Sequence, residues 1–525
     1  MTDFSGSARG KGAPERWDHE ADFVVVGFGG AAAVFAMTAA GAGADVLILE
    51  KGEQGGGNSV CVAGGLIMTP TDDEQAIEYL DWLCAGQTGR DVLEMFVRRM
   101  KDIPAFQHQL DLPVKDNANP FRIGGFFPEF VRAPGNEGVA GMSVVAAPGG
   151  AGLYNAIAAK ALERGARVMY KTPAVNLVQD PFSGEVLGVV AQDEHGNDLY
   201  IKGRKATILA CGGFECDEAL LQQHVAQCPV YFAGSPNLTG DGIRMAQRAG
   251  ARLWHMNAVA GPLNWGIKVE EGYVYNTYDF NKVAGFGYKH GVFKDAGSVI
   301  IVNRKGRRFY NETVDTSLVQ HGLMNRPVWL AMDTEVPEYL NVPSFLIFDD
   351  KAKAAGAVMS TLNSRTPRWS EDNQAELEKG WIIQADTLEE LAAKCTYPRI
   401  PGVCEAGSMD AGGLKETIQA YNAACAQGSG IEFDRQEFTV PLDKGPYYAV
   451  GPMFPVFLNT HGGPQHDSSQ RVLDLDGEPI PRLYAIGECG SLWGPYYNSM
   501  GDISEFIVSG MVAAESALAE PVSVA

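Results

Sequence analysis

The feature that most constrains the fold of this chain is a strand–loop–helix–strand pattern near its N-terminus. A short β-branched run at 23–26 is typical of a strand that is buried on both faces. A glycine-rich loop over 27–32 follows at once, and the alanine-rich segment 31–42 predicts a helix. A second apolar run, 45–49, predicts another strand and ends at Glu50. These elements, within about 30 residues, predict a Rossmann-type βαβ unit that binds a dinucleotide.

Each residue type in this unit has a physical role. Gly27 permits a tight turn, Gly29 lets the backbone approach a pyrophosphate, and the small Ala32 lets the helix pack closely on the sheet. The amides of the first helical turn face the phosphates, and Glu50 stands where a carboxylate binds a ribose hydroxyl. The predicted dinucleotide-binding residues of this unit are Gly27, Gly29, Gly30, Ala31, Ala32, Glu50 and Lys51.

Two more glycine-rich segments follow Glu50, namely GGGNS at 55–59 and AGG at 63–65. This order resembles the FAD-dependent fumarate reductase and 3-ketosteroid dehydrogenase superfamily, in which a loop of this kind runs beside the flavin. Covalent members carry the flavin on a histidine near this loop. This stretch has no histidine, so the resemblance implies non-covalent FAD. The flavin-binding residues implied here are Gly57, Asn58, Ser59, Gly64 and Gly65.

Later segments resemble the same superfamily over nearly the whole chain. The run 206–214 is similar to its second flavin-contacting strand and turn, 239–242 to a loop that opens a helix, and 482–490 to its closing flavin motif. A helix predicted over 502–519 would place its N-terminus beneath the isoalloxazine and stabilise the reduced flavin. The further flavin-binding residues implied are Ala210, Gly212, Gly213, Asp241, Gly487, Glu488, Ser499, Asp502 and Ile503.

The chain has 525 residues, too many for one hydrophobic core. The glycine-and-strand rhythm changes near residue 262 and returns near 445. The predicted fold class is α/β, with a discontinuous Rossmann-type FAD-binding domain and an inserted α+β cap or catalytic domain. The predicted segments are a disordered leader (1–17), the FAD-binding domain (18–260 and 445–525) and the cap (261–444).

Charge and cysteine usage narrow the class of protein. A net charge of -22 argues against nucleic-acid binding and against docking on anionic membranes. The nine cysteines are scattered, without CxxC or iron–sulfur spacing, as expected of inert thiols in a reducing compartment. The polar N-terminus has no signal-peptide core, and no apolar run reaches the roughly 18 residues of a membrane span. We therefore expect a cytoplasmic enzyme.

No metal site is predicted. His461 and His466 share a loop, but no third ligand at metal-like spacing accompanies them. Both are interpreted as packed or surface histidines.

Two reactions at the flavin are considered, and the first is reduction of a dicarboxylate alkene. It needs cationic clamps for the carboxylates. Arg308 matches the place of the proton-donating arginine of fumarate reductases, although it could instead pair with Glu312. Other positions depart from that family: 459–461 reads Asn-Thr-His, and 493–502 replaces an arginine-containing loop. Most of the clamps are therefore missing.

The second reaction is desaturation beside a ketone, in which a base takes the α-proton, a hydrogen bond polarises the ketone and flavin takes the β-hydride. The resemblance places Tyr496 at a catalytic tyrosine of ketosteroid dehydrogenases, with Tyr497 beside it. Tyr310 lies two residues from Arg308, on the same side of a predicted strand. The base is left open, with Asp315 as a speculative candidate.

The predicted function is thus α,β-dehydrogenation of a small apolar cyclic ketone, such as a 3-ketosteroid or related alicyclic ketone, with an electron acceptor that the sequence does not identify. The catalytic candidates are Tyr496, Tyr497, Tyr310 and Arg308. One alternative is a fumarate-reductase-like enzyme that reduces an enoate or enone. Another is a flavin-bearing electron-transfer or binding protein without substrate chemistry of its own.

Overall fold

The computed structural model describes residues 13–61, 66–110, 127–143, 149–225, 229–261, 264–277, 297–312, 328, 330–333, 335–336, 338–361, 363–436 and 439–523. The chain divides into two compact units. The first unit is Met1–Ala226, Gly234–Ala260 and Asn459–Ala525, and the second unit is Gln227–Ala233 and Gly261–Leu458.

Within these residues the helices are α1 (Gly30–Gly41), α2 (Gly57–Cys61), α3 (Asp73–Leu83), α4 (Arg90–Met100), α5 (Ile103–Gln107), α6 (Gly149–Glu163), α7 (Glu218–His224), α8 (Asp241–Arg248), α9 (Asp350–Ala355), α10 (Gln374–Glu378), α11 (Leu388–Lys394), α12 (Ala411–Gln427) and α13 (Gly501–Leu518). The strands are β1 (His19–Val26), β2 (Val46–Leu49), β3 (Leu66–Pro70), β4 (Val139–Ser143), β5 (Arg167–Met169), β6 (Ala174–Gln179), β7 (Val186–Gln192), β8 (Asp198–Leu209), β9 (Tyr231–Phe232), β10 (Leu253–Trp254), β11 (Val259–Ala260), β12 (Asn264–Lys268), β13 (Val274–Asn276), β14 (Val299–Asn303), β15 (Ser344–Asp349), β16 (Ile382–Ala385), β17 (Thr396–Tyr397), β18 (Gly407–Ser408), β19 (Tyr447–Phe457), β20 (Asn459–Thr460), β21 (Gly463–Pro464), β22 (Arg471–Leu473) and β23 (Pro479–Ala485).

The first unit is built on an eight-stranded sheet in the order β22-β23-β8-β1-β2-β5, to which β7 and β6 are added beside β8. The neighbours of β1 run parallel to it, with Val24 opposite Leu47 of β2 and Thr207 of β8. Both faces of β1 are covered, which explains its run of apolar residues. This parallel sheet confirms the predicted α/β, Rossmann-type fold class.

The C-terminal helix completes the first unit by packing on the helix of the βαβ unit. A Cβ at Gly510 of α13 would lie 2.8 Å from the Cβ of Val34 and 2.9 Å from the carbonyl oxygen of Ala31. Glycine therefore allows α13 and α1 to approach closely. The N-terminal motif and the C-terminal segment are thus held together in one unit.

The second unit is organised around the long strand β19. Its seven-stranded sheet has the order β13-β12-β19-β15-β14, and β9 and β16 also pair with β19. Because β19 forms its hydrogen bonds within this sheet, the second unit extends to Leu458, past the boundary at 445 that the sequence pattern indicated. In the first unit, Trp17 of the predicted leader packs against a small apolar cluster that contains Val178.

None of the helices in the described ranges is both long enough and apolar enough to cross a membrane.

Candidate flavin and substrate site

The glycine loop between β1 and α1 packs tightly at one glycine and is open at another. Gly27 has a φ of +93°, and a Cβ there would lie 2.7 Å from the Ala210 carbonyl oxygen. At Gly29 a Cβ would meet no atom within 4 Å. The loop is therefore tight where it passes the end of β8 and open over the N-terminus of α1, as a phosphate group requires.

The carboxylate of Glu50 at the end of β2 is fixed by two amides. Its Oε2 accepts a hydrogen bond from the Phe28 amide (2.9 Å) and its Oε1 accepts one from the Gly52 amide (2.7 Å). The next residue, Lys51, places its Nζ 2.6 Å from Oδ2 of Asp241, the first residue of α8. Two residues predicted to bind the dinucleotide therefore pair with each other.

A second glycine pair lies just after β8. A Cβ at Gly213 would lie 2.2 Å from the Thr460 Oγ1, which accepts a hydrogen bond from the Phe214 amide (3.0 Å). Gly212 has a φ of +74° and packs against Leu238. Both glycines, together with the buried Ala210, form the turn that brings this loop against β20.

Asn58 in α2 joins three loops of the first unit. Its Nδ2 lies 3.3 Å from oxygens of Glu215 and Glu488, and its Oδ1 accepts a hydrogen bond from the Ser235 amide (2.9 Å). The neighbouring Ser59 accepts a hydrogen bond from the Gly30 amide (3.0 Å). Gly57 opens α2, whereas Gly64 and Gly65 lie outside the described residues.

The closing motif packs directly on the helix of the βαβ unit. The Gly487 amide donates to Ser509 Oγ (3.1 Å), and a Cβ at Gly487 would lie 2.9 Å from the Ala31 Cβ. Farther along, the Ser499 amide donates to Glu129 Oε1 (2.8 Å), and Ile503 is buried in α13. Ala32 is fully buried. The predicted flavin-binding residues that are described in the N-terminal and C-terminal segments therefore belong to one compact unit.

Four carboxylates cluster in the first unit, and we call them the acidic cluster: Glu215, Glu488, Asp502 and Glu505. Burial raises the pKa of Glu215 to about 8. Burial and then the Asp502 carboxylate raise the pKa of Glu505 to about 8, and burial and then Glu215 raise the pKa of Glu488 well above its usual value. Among the described residues, no lysine or arginine forms an ion pair with any of the four. The carboxyl groups of Glu215, Glu488 and Glu505 are therefore harder to ionise than those of exposed glutamates.

Tyr497 lies against this cluster. Its Oη accepts a hydrogen bond from the Asp502 amide (3.2 Å), and its ring centroid lies 4.9 Å from that of His461 and 5.3 Å from that of Trp493. Burial and then the Asp502 carboxylate raise the pKa of Tyr497 well above its usual value. Tyr497 is therefore a neutral phenol, suited to donate a hydrogen bond rather than to act as a base.

Tyr496 has different surroundings. It is partly exposed and stacks on Trp82 with 5.2 Å between the ring centroids, while Phe130 lies 6.0 Å away. Its amide donates to the Leu83 carbonyl (3.1 Å), which fixes the loop on the end of α3. Tyr496 thus offers an aromatic face, whereas Tyr497 makes a buried polar contact.

Asp502 and His461 form a pair that sequence patterns did not indicate. His461 Nε2 lies 3.2 Å from Asp502 Oδ1, within ion-pair distance but not aligned as a hydrogen bond. Asn459 Nδ2 donates to the other oxygen of Asp502 (3.1 Å). Both histidines of this loop, His461 and His466, are buried. The pairing joins residues far apart in the chain, so no local spacing could have revealed it.

The candidates of the second unit occupy a buried ion-pair cluster. Arg308 donates from Nε and Nη2 to the two oxygens of Glu312, at 2.8 and 2.6 Å, and Arg435 Nη1 lies 3.2 Å from Glu312 Oε2. This geometry agrees with the alternative that Arg308 pairs with Glu312 instead of donating a proton to a substrate. Tyr310 stacks on Phe309, with 5.2 Å between ring centroids, and burial raises its pKa well above the usual value. Asp315 lies outside the described residues.

Residues 22–502 of the chain match the FAD binding domain family. The chain belongs to this family. This match confirms the predicted family resemblance and the FAD cofactor, and the protein is a flavin-dependent oxidoreductase of this family.

Two relatives are similar over most of their length. A 4-oxocyclohexanecarboxylate 2-dehydrogenase of Sinomonas cyclohexanicum is 26% identical, with 89% of this chain and 87% of the relative covered. A vinyl phenol reductase of Lactiplantibacillus plantarum is 27% identical, with 90% of this chain and 92% of the relative covered. The names of these two flavoenzyme relatives describe reactions in opposite directions, one a dehydrogenation and one a reduction.

A solved structure shares the fold. The 3-ketosteroid Δ1-dehydrogenase from Sterolibacterium denitrificans, in complex with 1,4-androstadiene-3,17-dione, superimposes with a TM-score of 0.70 at 22% identity. The alignment covers 96% of this chain and 100% of that chain. At this identity the similarity supports the fold alone.

The residues of the first unit fit FAD. The open space over Gly29 and the amides at the start of α1 suit a pyrophosphate, and the fixed carboxylate of Glu50 suits a ribose. Several of the predicted contact residues are partly exposed, as cofactor-lining groups should be; they are Gly27, Gly29, Lys51, Ser59, Gly212, Asp241, Glu488 and Asp502. In the part of the chain that the structure describes, no group of three His, Cys, Asp or Glu residues could hold a metal ion.

Proposed function

We propose that the protein removes two hydrogens from adjacent carbons of a cyclic ketone, a 3-ketosteroid or a related alicyclic ketone. The observation that carries the proposal is the acidic cluster beside the closing flavin motif, next to a loop with two adjacent tyrosines. When bound, FAD accepts the hydride from the β-carbon. The chain itself must bind the ketone, polarise its oxygen and accept the α-proton.

The charges of the first unit favour an uncharged substrate. A carboxylate placed among the acidic cluster would lie beside other carboxyl groups, and no lysine or arginine of the described residues pairs with the cluster. Arg308, the one candidate for a fumarate-type proton donor, is already bound to Glu312. A neutral ketone avoids both difficulties. We therefore place dicarboxylate reduction second.

We assign polarisation of the ketone oxygen to Tyr496. Its partial exposure and its stacking on Trp82 beside Phe130 combine a hydroxyl donor with an apolar face that suits an alicyclic ring. Tyr497 holds the start of α13 through the Asp502 amide. FAD is held without a covalent bond in this proposal, because the described loop residues near α2 include no histidine.

The proposal is tested by anaerobic stopped-flow bleaching of the flavin with saturated ketones. The panel contains 3-ketosteroids, alkylcyclohexanones and 4-oxocyclohexanecarboxylate. We expect rapid bleaching by an uncharged ketone with formation of its enone. If no ketone bleaches the flavin, and an enoate or a vinyl phenol reoxidises the dithionite-reduced protein, the reductase replaces the dehydrogenase.

Tyr496→Phe is expected to slow ketone bleaching about 100-fold to 1000-fold, the usual cost of removing one donor to a developing oxyanion. FAD content should stay unchanged. The matched control is Tyr200→Phe, since Tyr200 is also partly exposed in the first unit but packs against the Val178 cluster. Equal bleaching rates in Tyr496→Phe and Tyr200→Phe would remove Tyr496 from the reaction.

A further inference from the structure

Asp502 is held in a fixed orientation at the start of α13. One carboxylate oxygen accepts a hydrogen bond from Asn459 Nδ2 at 3.1 Å, and the other lies 3.2 Å from His461 Nε2. The backbone amide of Asp502 donates to the Tyr497 hydroxyl. The side chain of Asp502 is 19% exposed, whereas that of His461 is 0% exposed. The carboxylate is therefore the more exposed member of the pair, and the imidazole lies behind it.

The backbone of His461 is fixed by two hydrogen bonds. Its amide donates to the Ala258 carbonyl (3.0 Å), and its own carbonyl accepts from the Ser491 amide (3.0 Å). Neither ring nitrogen of His461 has an aligned hydrogen-bond partner. A fully buried imidazole without a hydrogen-bond partner destabilises the fold. The structure maintains this unsatisfied group directly behind a carboxylate, which points to a role in proton transfer.

Several groups around the pair are poor proton acceptors. Tyr497 is a neutral phenol because burial raises its pKa, and burial lowers the pKa of His255 to about 4. Burial raises the pKa values of Glu215, Glu488 and Glu505, which makes their carboxyl groups harder to ionise. Glu129 also faces Tyr497. Asp502 is the member of the acidic cluster that has a basic partner beside it.

We propose that Asp502 is the base that takes the α-proton of the ketone, and that His461 is the positioning residue that receives this proton from it. The inference rests on the proposed function and names the base that the desaturation requires. The α-C–H bond breaks and its proton bonds to a carboxylate oxygen of Asp502. The released electron pair forms the carbon–carbon double bond as the β-hydride leaves, with its two electrons, to FAD. The proton then passes from Asp502 Oδ1 to His461 Nε2.

This arrangement keeps the charge of the carboxylate constant over a turnover. After the proton has moved, Asp502 is again an anion and lies beside an imidazolium, which is a favourable pair at 3.2 Å. After the product has left, the imidazolium returns the proton to solvent through the Asp502 carboxylate, which is the exposed member of the pair. His461 therefore acts through Asp502, and its loss should change the pH dependence of proton removal as well as its rate.

The test isolates proton removal from hydride transfer. FAD-loaded protein is reduced with dithionite, so that the hydride cannot leave, and the α-hydrogens of a saturated cyclic ketone are exchanged in D2O and followed by mass spectrometry. We expect Asp502→Asn to slow this exchange at least 100-fold, within the range typical of a general base. Asp502→Glu should retain part of the exchange. His461→Gln should slow exchange about tenfold and remove one inflection from its pH profile.

FAD content and a second variant show whether a slow exchange results from misfolding. The FAD-to-protein ratio is measured for each variant, and Asn459→Ala, which removes a support of Asp502 but leaves the carboxylate, should slow exchange by less than Asp502→Asn. In protein with isotope-labelled histidine side chains, the imidazole NMR signal of His461 is identified by its loss in His461→Gln. This signal should shift in Asp502→Asn, whether or not the enzyme turns over.

The outcomes separate the two proposals. If the wild-type protein is bleached by ketones but Asp502→Asn, loaded with FAD, exchanges α-hydrogens at the wild-type rate, the assignment of the base is overturned and the proposed function stands. An unchanged pH profile in His461→Gln overturns the role of His461. If the wild-type protein is neither bleached nor able to exchange α-hydrogens, the proposed function fails and this inference fails with it.

Discussion

Glu312→Gln is expected to lower the free energy of unfolding of the second unit by about 3–5 kcal/mol, as when one partner of a buried ion pair is removed. The Glu312 side chain is 1% exposed and accepts hydrogen bonds from Arg308, Arg435 and the Ile301 amide. Glutamine has nearly the same shape but no charge. The variant therefore leaves two buried guanidinium groups without their shared anion. Urea unfolding, with amide exchange at Ile301 as a local probe, measures the loss.

The effect of Glu312→Gln should depend on pH in a definite direction. Burial raises the pKa of Glu312, but the hydrogen bond and charge of Arg308 lower it more, so the folded value lies below the ordinary 4.5. A carboxylate with a depressed folded pKa contributes its full stability above the unfolded value and loses it as pH falls through the folded value. The difference between wild type and variant should thus be constant above pH 4.5 and shrink below it.

An exposed ion pair formed by the neighbouring arginine supplies the control. Arg307, next in the chain to Arg308, pairs with Glu416, and both side chains are largely exposed. Glu416→Gln should therefore cost about 0–1 kcal/mol. If Glu312→Gln costs no more than Glu416→Gln, the buried cluster does not stabilise the second unit, and Arg308 becomes available again as a candidate proton donor.

Gly27→Ala is expected to produce protein that has lost most of its FAD. The new Cβ would lie 2.7 Å from the Ala210 carbonyl oxygen and from the Cys211 Cα, both backbone atoms that cannot turn aside. The φ of +93° adds strain of about 1–3 kcal/mol for a residue with a side chain. Both effects push the glycine loop away from the end of β8. The FAD-to-protein ratio and the melting temperature with and without added FAD measure the result.

Gly43→Ala separates strain from collision. Gly43 follows α1 and has a φ of +88°, close to that of Gly27, but a Cβ there would meet nothing within 4 Å. Gly43→Ala should lower the free energy of unfolding by a similar amount, because the backbone strain is similar, while FAD stays bound. If the two variants lose FAD equally, backbone strain alone accounts for the effect and the contact with β8 is unimportant. If Gly27→Ala keeps its FAD, the loop does not hold the cofactor.

Local patterns predicted the βαβ unit well because each element there is determined by nearby residues. The apolar run of β1, the turn at Gly27 and the acid at Glu50 can all be read within one short segment. The predicted helix at 31–42 begins at Gly30, and the one at 502–519 begins at Gly501. Both differences are one residue, the ordinary uncertainty of helix ends.

Side-chain partners could not be predicted in the same way, because long separations in the chain bring them together. Glu312 lies close in sequence to Arg308, and that pair was foreseen as an alternative, but Arg435 joins it from 123 residues away. Asn459 reaches Asp502 across 43 residues, and the sequence assigned Asp502 to the flavin and His461 to packing. Periodicity reports which face of an element is buried and does not report which polar groups meet there.

The place of β23 in the first sheet has a consequence for how the protein is made. This strand pairs in parallel with β8, Leu483 opposite Thr207, and β22 lies on its far side. A ribosome therefore finishes the whole second unit, to Leu458, before β23 is translated. Until then the end of β8, residues 207–209, has no partner on that side, whereas its start is already paired with β7. Newly made chains should depend on chaperones during this interval, and FAD should be acquired only after β23 has been made.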